Sequence, residues 1–234
     1  SAKKYWHFIK LMGRSASHIT LEAALQTHCN YAAISEEIKE KNITLDQLVN
    51  EICDIIIKRA NNKKNFGVIL IPEGLIEFIP EMNKLISELN NILAENETYF
   101  KTLNTFEAQI QFINHHLSQE ASYTFSSLPA DIQMQLLEDR DDHGNVSVSK
   151  IETEKLLIEL CSTHLNELKT KGEFNGKFSP LHHFLGYEGR CAAPTPFDSR
   201  YCYALGYTAF NLANAGMSGY IAYIKNCSKP VKEW

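Results

Sequence analysis

Paired cysteine motifs are missing from this 234-residue chain: Cys29, Cys53, Cys161, Cys191, Cys202 and Cys227 are scattered and form no C-x-x-C pair. Buried, reduced thiols are therefore expected rather than a redox motif or a disulfide scaffold. The histidine doublets His115-His116 and His182-His183 belong to no H-E-x-x-H or Cys/His ligand set, which excludes a recognisable structural zinc motif. Long apolar runs are absent as well. Val68-Ile69-Leu70-Ile71-Pro72, among the longest, falls far short of the ~18 residues of a membrane span, and no apolar segment opens the chain. A soluble, unsecreted, cytoplasmic protein is the expectation. Finally, 23 basic against 28 acidic side chains give a formal charge of -5. That leaves no basic excess to displace counterions, so nucleic acid is not an expected partner.

Several catalytic signatures are also lacking. Gly172-Glu173-Phe174-Asn175-Gly176-Lys177-Phe178 has the wrong spacing for a phosphate-binding G-x-x-x-x-G-K-[ST] loop and ends in Phe. No G-x-G-x-x-G follows a strand, which removes support for a dinucleotide cofactor, and no G-x-S-x-G nucleophile elbow occurs. Arg140-Asp141-Asp142-His143-Gly144-Asn145 reads as a solvated polar turn, not as a strand end presenting paired aspartates for phosphoryl transfer.

What is present describes a globular protein: 44% hydrophobic and 22% charged residues suffice for a real core, and one large domain, or one with an insert, is expected. Tyr5 to Met12 reads as a strand entered almost at the first residue, as in a piece of a longer chain. Ser17 can cap a helix striped by Leu21, Ala24, Leu25 and His28, and Asn30 to Ser35 reads as a short buried strand. Thr44-Leu45-Asp46-Gln47 is a capping box opening a helix with Leu45, Leu48, Val49, Ile52 and Ile56 on one side. Phe66 to Ile71, continuously apolar, reads as a strand covered on both faces.

The order β-α-β-α-β predicts an α/β fold, a Rossmann-like three-layer sheet with helices on both faces. From Leu75 to Gly172 the alternation gives way to helical spacing, with breaks expected at Thr98 to Phe100 and at Ser122 to Ser127. A second capping box is read at Ser149-Lys150-Ile151-Glu152. A strand at His183 to Tyr187, a helix from Ser199 to Ala215 stopped by Gly216, and a strand at Tyr220 to Ile224 complete the pattern. Residues 1–74 and 173–234 are thus expected to form a discontinuous α/β domain, interrupted by a largely helical insert at 75–172.

Open α/β sheets bind ligands beyond the carboxyl ends of their strands, and three strand ends carry suggestive residues. Met12-Gly13-Arg14-Ser15 joins a glycine that admits a ligand to an arginine whose planar fork fits phosphate. The same residues also suit an ordinary turn with a surface arginine. Pro72-Glu73-Gly74 offers a carboxylate that can accept from sugar hydroxyls, ligate a metal, or merely complement a helix dipole. Tyr187-Glu188-Gly189-Arg190 repeats the glycine and arginine theme. Together the three suit a phosphorylated sugar.

These segments resemble one family, the long form of pyrophosphate-dependent phosphofructokinase. The likeness rests on Lys4-Tyr5-x-His7-Phe8, on Leu11-Met12-Gly13-Arg14-x-Ala16-Ser17-His18-Ile19-Thr20-Leu21-Glu22, and on Gly67 to Ile76. It continues through Lys150 to Lys155, Gly186 to Arg190, and Phe197-Asp198-x-x-Tyr201-Cys202-Tyr203-Ala204-Leu205-Gly206, and is weakest from Asn96 to Ser127.

The resemblance implies phosphoryl transfer from pyrophosphate to the 1-hydroxyl of fructose 6-phosphate, a step of glycolysis. It places Met12, Gly13 and Arg14 in the sugar-phosphate site, with Arg14 also stabilising charge on the transferred group. It gives Glu73 the sugar hydroxyls, and Tyr187 and Arg190 the 6-phosphate, with Glu188 and Gly189 forming the turn between them. Lys4 and Tyr5 would reach the substrate of a second subunit. Mg2+, the pyrophosphate donor and the aspartate base would be held mainly by a region that precedes Met12 in the family. Only eleven residues precede Met12 here. The chain is accordingly expected to supply the acceptor half and to be inactive alone. The alternative is a non-catalytic regulatory subunit or domain that binds a sugar phosphate.

Overall fold

A computed structural model of the chain describes residues 3–13, 16–138, 140 and 144–234. They divide into two compact units, Ser1–Gly189 and Arg190–Trp234.

The first unit is built on a parallel four-stranded sheet. Its strands are β1 (Trp6–Leu11), β2 (Tyr31–Ala32), β3 (Gly67–Pro72) and β4 (Pro180–Leu185), in the order β2-β3-β1-β4. Trp6 lies opposite both Gly67 and Pro180, and Leu11 opposite both Pro72 and Leu185, so three strands begin and end level. Between the strands run α1 (His18–Thr27), α2 (Ser35–Glu40), α3 (Leu45–Asn61), α4 (Pro80–Glu95) and α5 (Glu97–Phe100). The helices α6 (Phe106–His116), α7 (Gln119–Ser127), α8 (Ala130–Glu138) and α9 (Thr153–Thr170) follow.

Alternation along β1 turns Trp6, Phe8 and Lys10 to one face, where all three are buried. That face meets α3 and α9, which pack on each other. The connection from β1 to β2 crosses the sheet in one direction, whereas those from β2 to β3 and from β3 to β4 cross in the other. Right-handed crossovers therefore put α1 on the face opposite α3 and α9, giving the expected Rossmann-like layers. The capping box of α3 forms as read: Gln47 N–H donates to Thr44 Oγ1 (3.3 Å) and Thr44 N–H to Gln47 Oε1 (2.9 Å). Its stripe Leu48, Ile52 and Ile56 is fully buried, each side chain contributing about 1.5–3 kcal/mol by leaving water. One cluster of buried side chains runs from β1 and α3 through α4 to α9.

Several local expectations need correction. Only Tyr31 and Ala32 of the 30–35 segment form a strand, because Ser35 begins a helix whose first turn carries Glu36 and Glu37. α1 forms, but Leu21 and Leu25 are 46% and 63% exposed; Thr20 is the residue it buries. Ser17 sits at the N-cap of α1 without capping it, since its hydroxyl accepts the Ser35 N–H instead (2.8 Å).

The breaks expected at 98–100 and 122–127 are helical. α7 is started by Ser118, whose Oγ accepts the Ala121 N–H. The second capping box does not form: Ser149 lies in a 3-10 turn, and Glu152 N–H and carboxylate both bond the Gln135 side chain. β4 spans Pro180–Leu185, starting three residues and ending two residues before the strand read at His183 to Tyr187. Of the cysteines only Cys53 and Cys161 are buried, while Cys191 and Cys202 are exposed.

The second unit contains α10 (Pro196–Asn214), opened by a capping box between Thr195 and Asp198 with Pro196 in the first turn. Gly216 follows it at φ +70°, as a helix stop requires. Tyr220 to Ile224 is not a strand: the described residues of this unit hold no strand to offer it a ladder, and Ile221 is 88% exposed.

Candidate functional site

The level ends of β1, β3 and β4 bring three strand-end loops to one carboxyl edge. β1 and β3 are neighbours whose onward connections leave on opposite faces, which makes the gap between them the topological switch point, where α/β sheets hold ligands. Gly13 and Glu73 flank that gap. Glu73 N–H continues the ladder to Leu11 C=O (3.0 Å), and the Glu73 side chain folds back so that Oε2 accepts the Gly13 N–H (2.9 Å). Glu73 is only 6% exposed, and its Oε1 takes part in no hydrogen bond among the described residues. That oxygen can accept from a hydroxyl donor.

Gly13 has φ +153°, and a Cβ there would stand 3.3 Å from Ala16 C=O. The glycine thus lets the loop turn tightly beside the carboxylate. Met12 N–H bonds Leu185 C=O (3.0 Å), drawing the same loop towards the end of β4. There Tyr187, Glu188 and Gly189 form one 3-10 turn closed by Gly189 N–H to Gly186 C=O (3.1 Å), with Glu188 Oε1 accepting the Gly186 N–H. Tyr187 is 75% exposed at the rim of the edge.

Met12, Gly13, Glu73, Tyr187, Glu188 and Gly189 are therefore gathered at one end of the sheet. Lys4 and Tyr5 are not. They precede β1 at its opposite end, roughly 23 Å away at about 3.3 Å per residue. Lys4 Nζ lies 4.2 Å from the centroid of the Phe66 ring. Arg190 is exposed and opens the second unit. Arg14 lies outside the described residues, as do Asp141, Asp142 and His143 of the polar turn.

Two groups beside this edge escaped the reading by motif. Glu36, just after β2, accepts the Ser17 N–H (3.0 Å), so the loop leaving β1 is held by a carboxylate at each end. Burial acts to raise the Glu36 carboxyl, but hydrogen bonds from Ser17 and from its own backbone, with His18 nearby, hold it below the usual carboxylate range. The strand-end rule, applied to β2, would have found it. Lys10 is the second. It is 3% exposed, donates to Ile151 C=O (3.0 Å), stands 3.4 Å from Glu154 Oε2, and lies 4.8 Å from the Phe184 ring centroid. A lysine two positions before Met12, the one formally charged residue of β1, is the signal that would have pointed to it.

Among the described residues no three His, Cys, Asp or Glu side chains gather closely enough to hold a metal ion. The magnesium implied by resemblance thus has no ligand set among them, and no step is assigned to it.

A parallel sheet with helices on both faces, and with the buried Glu73 carboxylate at its switch point, defines an α/β protein of the Rossmann-like class. No protein-family model matches the chain. Over all 234 residues it is 54% identical to the pyrophosphate–fructose 6-phosphate 1-phosphotransferase of Porphyromonas gingivalis. It is 51% identical to subunit beta 2 of the enzyme of that name from Arabidopsis thaliana, and 39% identical, over 235 residues, to that plant's subunit alpha 2. It spans 42%, 40% and 36% of those three proteins respectively. The likeness read from the motifs is borne out along the whole chain, and the chain spans about two-fifths of the length of such curated relatives.

Proposed function

We propose that this chain forms the acceptor-binding part of a protein that transfers a phosphoryl group from pyrophosphate to the 1-hydroxyl of fructose 6-phosphate, giving fructose 1,6-bisphosphate and phosphate. The observation that carries the reading is the Gly13 N–H to Glu73 Oε2 bond across the switch point, in a chain similar throughout to transferases bearing that name. Glu73 Oε1 accepts from the sugar hydroxyls. The loop at Met12, Gly13 and Arg14 lies along the sugar phosphate, and Arg14 meets charge on the transferred group. Tyr187 and Arg190, joined by Glu188 and Gly189, bind the 6-phosphate. Lys4 and Tyr5, at the far end of β1, serve the site of a second subunit. The donor, Mg2+ and the base belong to the remainder of the polypeptide, and the complete protein works in the cytoplasm. Phosphoryl transfer relies mainly on positioning and charge stabilisation, and this part supplies the acceptor's share of both.

The test uses the full-length protein. Glu73→Gln keeps the side-chain volume but removes the charge that receives hydroxyl donors. The expected result is a KM for fructose 6-phosphate raised at least about tenfold, equivalent to about 1.4 kcal/mol, with KM for pyrophosphate unchanged. An unaltered KM for the sugar phosphate would sink the assignment of Glu73. Binding of fructose 6-phosphate without any turnover in the wild-type protein would replace the catalytic reading with the regulatory one.

A further inference from the structure

The segments that precede parallel strands share the edge opposite the crevice. Because Trp6, Gly67 and Pro180 are level, residues 3–5, 58–66 and 167–179 converge on that amino edge. These segments hold nine lysines and arginines against two carboxylates, Glu167 and Glu173, in a chain whose formal charge is -5. None of the nine forms an ion pair among the described residues.

Some of these cations have structural work. Arg59 donates to Phe66 C=O (2.9 Å) and covers the Trp6 and Phe66 rings, and Lys58 and Lys169 complement the carboxyl ends of α3 and α9. Lys177 has no such role. It belongs to no helix or strand, and its one hydrogen bond among the described residues is from its backbone N–H to Asn65 Oδ1. With Lys169, Asn166 and Ser179 it lines a cleft of about 310 Å³ between α9 and the loop leading into β4. Two lysines and an asparagine lining one concave space supply ammonium and amide donors for anionic oxygens, and the surrounding unpaired cations strengthen its field.

We propose that this cleft binds a small polyanion, either a polyphosphate or a polycarboxylate, at the edge of the sheet opposite the crevice. The proposal owes nothing to the reading of that crevice. Its test is isothermal titration of the full-length protein with inorganic tripolyphosphate and, separately, with citrate. Wild type is compared with Lys177→Glu and with the Lys169→Ala/Lys177→Ala double variant, and the fold is verified by circular dichroism. Lys177→Gln replaces the reversal if that variant does not fold. Because tripolyphosphate can also enter a donor site, the readout is the difference in anions bound per chain. The expected result is one more anion on wild type than on the double variant, and at least tenfold weaker binding to Lys177→Glu. A difference with tripolyphosphate alone identifies the phosphoryl class; with citrate alone, the carboxylate class. Equal stoichiometry and affinity in all three proteins, for both anions, would overturn the proposal.

Discussion

Gly13 and His183 show how much a single residue can carry here. A side chain at Gly13 would combine an unfavourable φ of +153° with a Cβ 3.3 Å from Ala16 C=O, so Gly13→Ala must shift the loop and stretch the bond to Glu73. We expect a loss of about 1–3 kcal/mol in urea unfolding of the full-length protein, together with a raised KM for the sugar phosphate; a variant that matches wild type in both would show the loop to be indifferent to its glycine. His183 Nε2 lies 2.8 Å from His7 Nδ1, a contact in which one ring must donate and the other accept, so at most one can be charged while the bond lasts. Burial first, then the neighbouring His7 and His182, pushes the His183 imidazole below its usual value. The unfolded chain therefore binds more protons than the folded one in the interval below pH ~6.5, and stability falls as pH drops through it. His183→Leu should flatten that dependence between about pH 7 and 5, read as urea midpoints; an equally steep profile in the variant would exclude the pair as its source.

Among the elements, β1 and α9 are joined by the buried Lys10–Glu154 pair, both members of which are 3% exposed. Removing one partner strands the other in a low dielectric, at a cost of about 3–5 kcal/mol, whereas replacing both with apolar groups is often neutral. Lys10→Met should therefore lower the stability of the full-length protein strongly, and the double variant Lys10→Met/Glu154→Leu should recover most of it. Equal losses in the two would mean that packing of the lysine stem, not its charge, is what matters. This pair also marks the boundary of what sequence patterns disclose. Apolar runs and the Thr44–Gln47 box located β1, β3 and α3 because those signals are local. The three strand-end motifs were equally visible, and the structure gathers Met12, Gly13, Glu73 and Tyr187 at one edge. The partner of Lys10, the clamp of Glu36 on Ser17 and the diversion of the Ser17 hydroxyl to Ser35 join residues 18 to 144 positions apart, and spacing says nothing of them.

At the scale of the molecule, every buried residue lies in Ser1–Gly189; Arg190–Trp234 has none. The apolar alternation of Tyr220 to Ile224, which reads as a strand, has no ladder in this unit, and Tyr203, Tyr207 and Phe210 form a helical stripe that is 78%, 64% and 65% exposed. Local signals alone, the Thr195–Asp198 box and Pro196, define α10. Such caps contribute about 1 kcal/mol each, while ordering a residue costs about 1–2 kcal/mol in backbone entropy that only burial can offset. A 45-residue unit without a core falls below that balance. A synthetic peptide covering 190–234 is therefore expected to show mostly coil by far-UV circular dichroism at 25 °C, with a broad, non-cooperative thermal response. A cooperative melt of the isolated peptide would mean that the unit folds by itself, and that its aromatic stripe is not what its stability waits on.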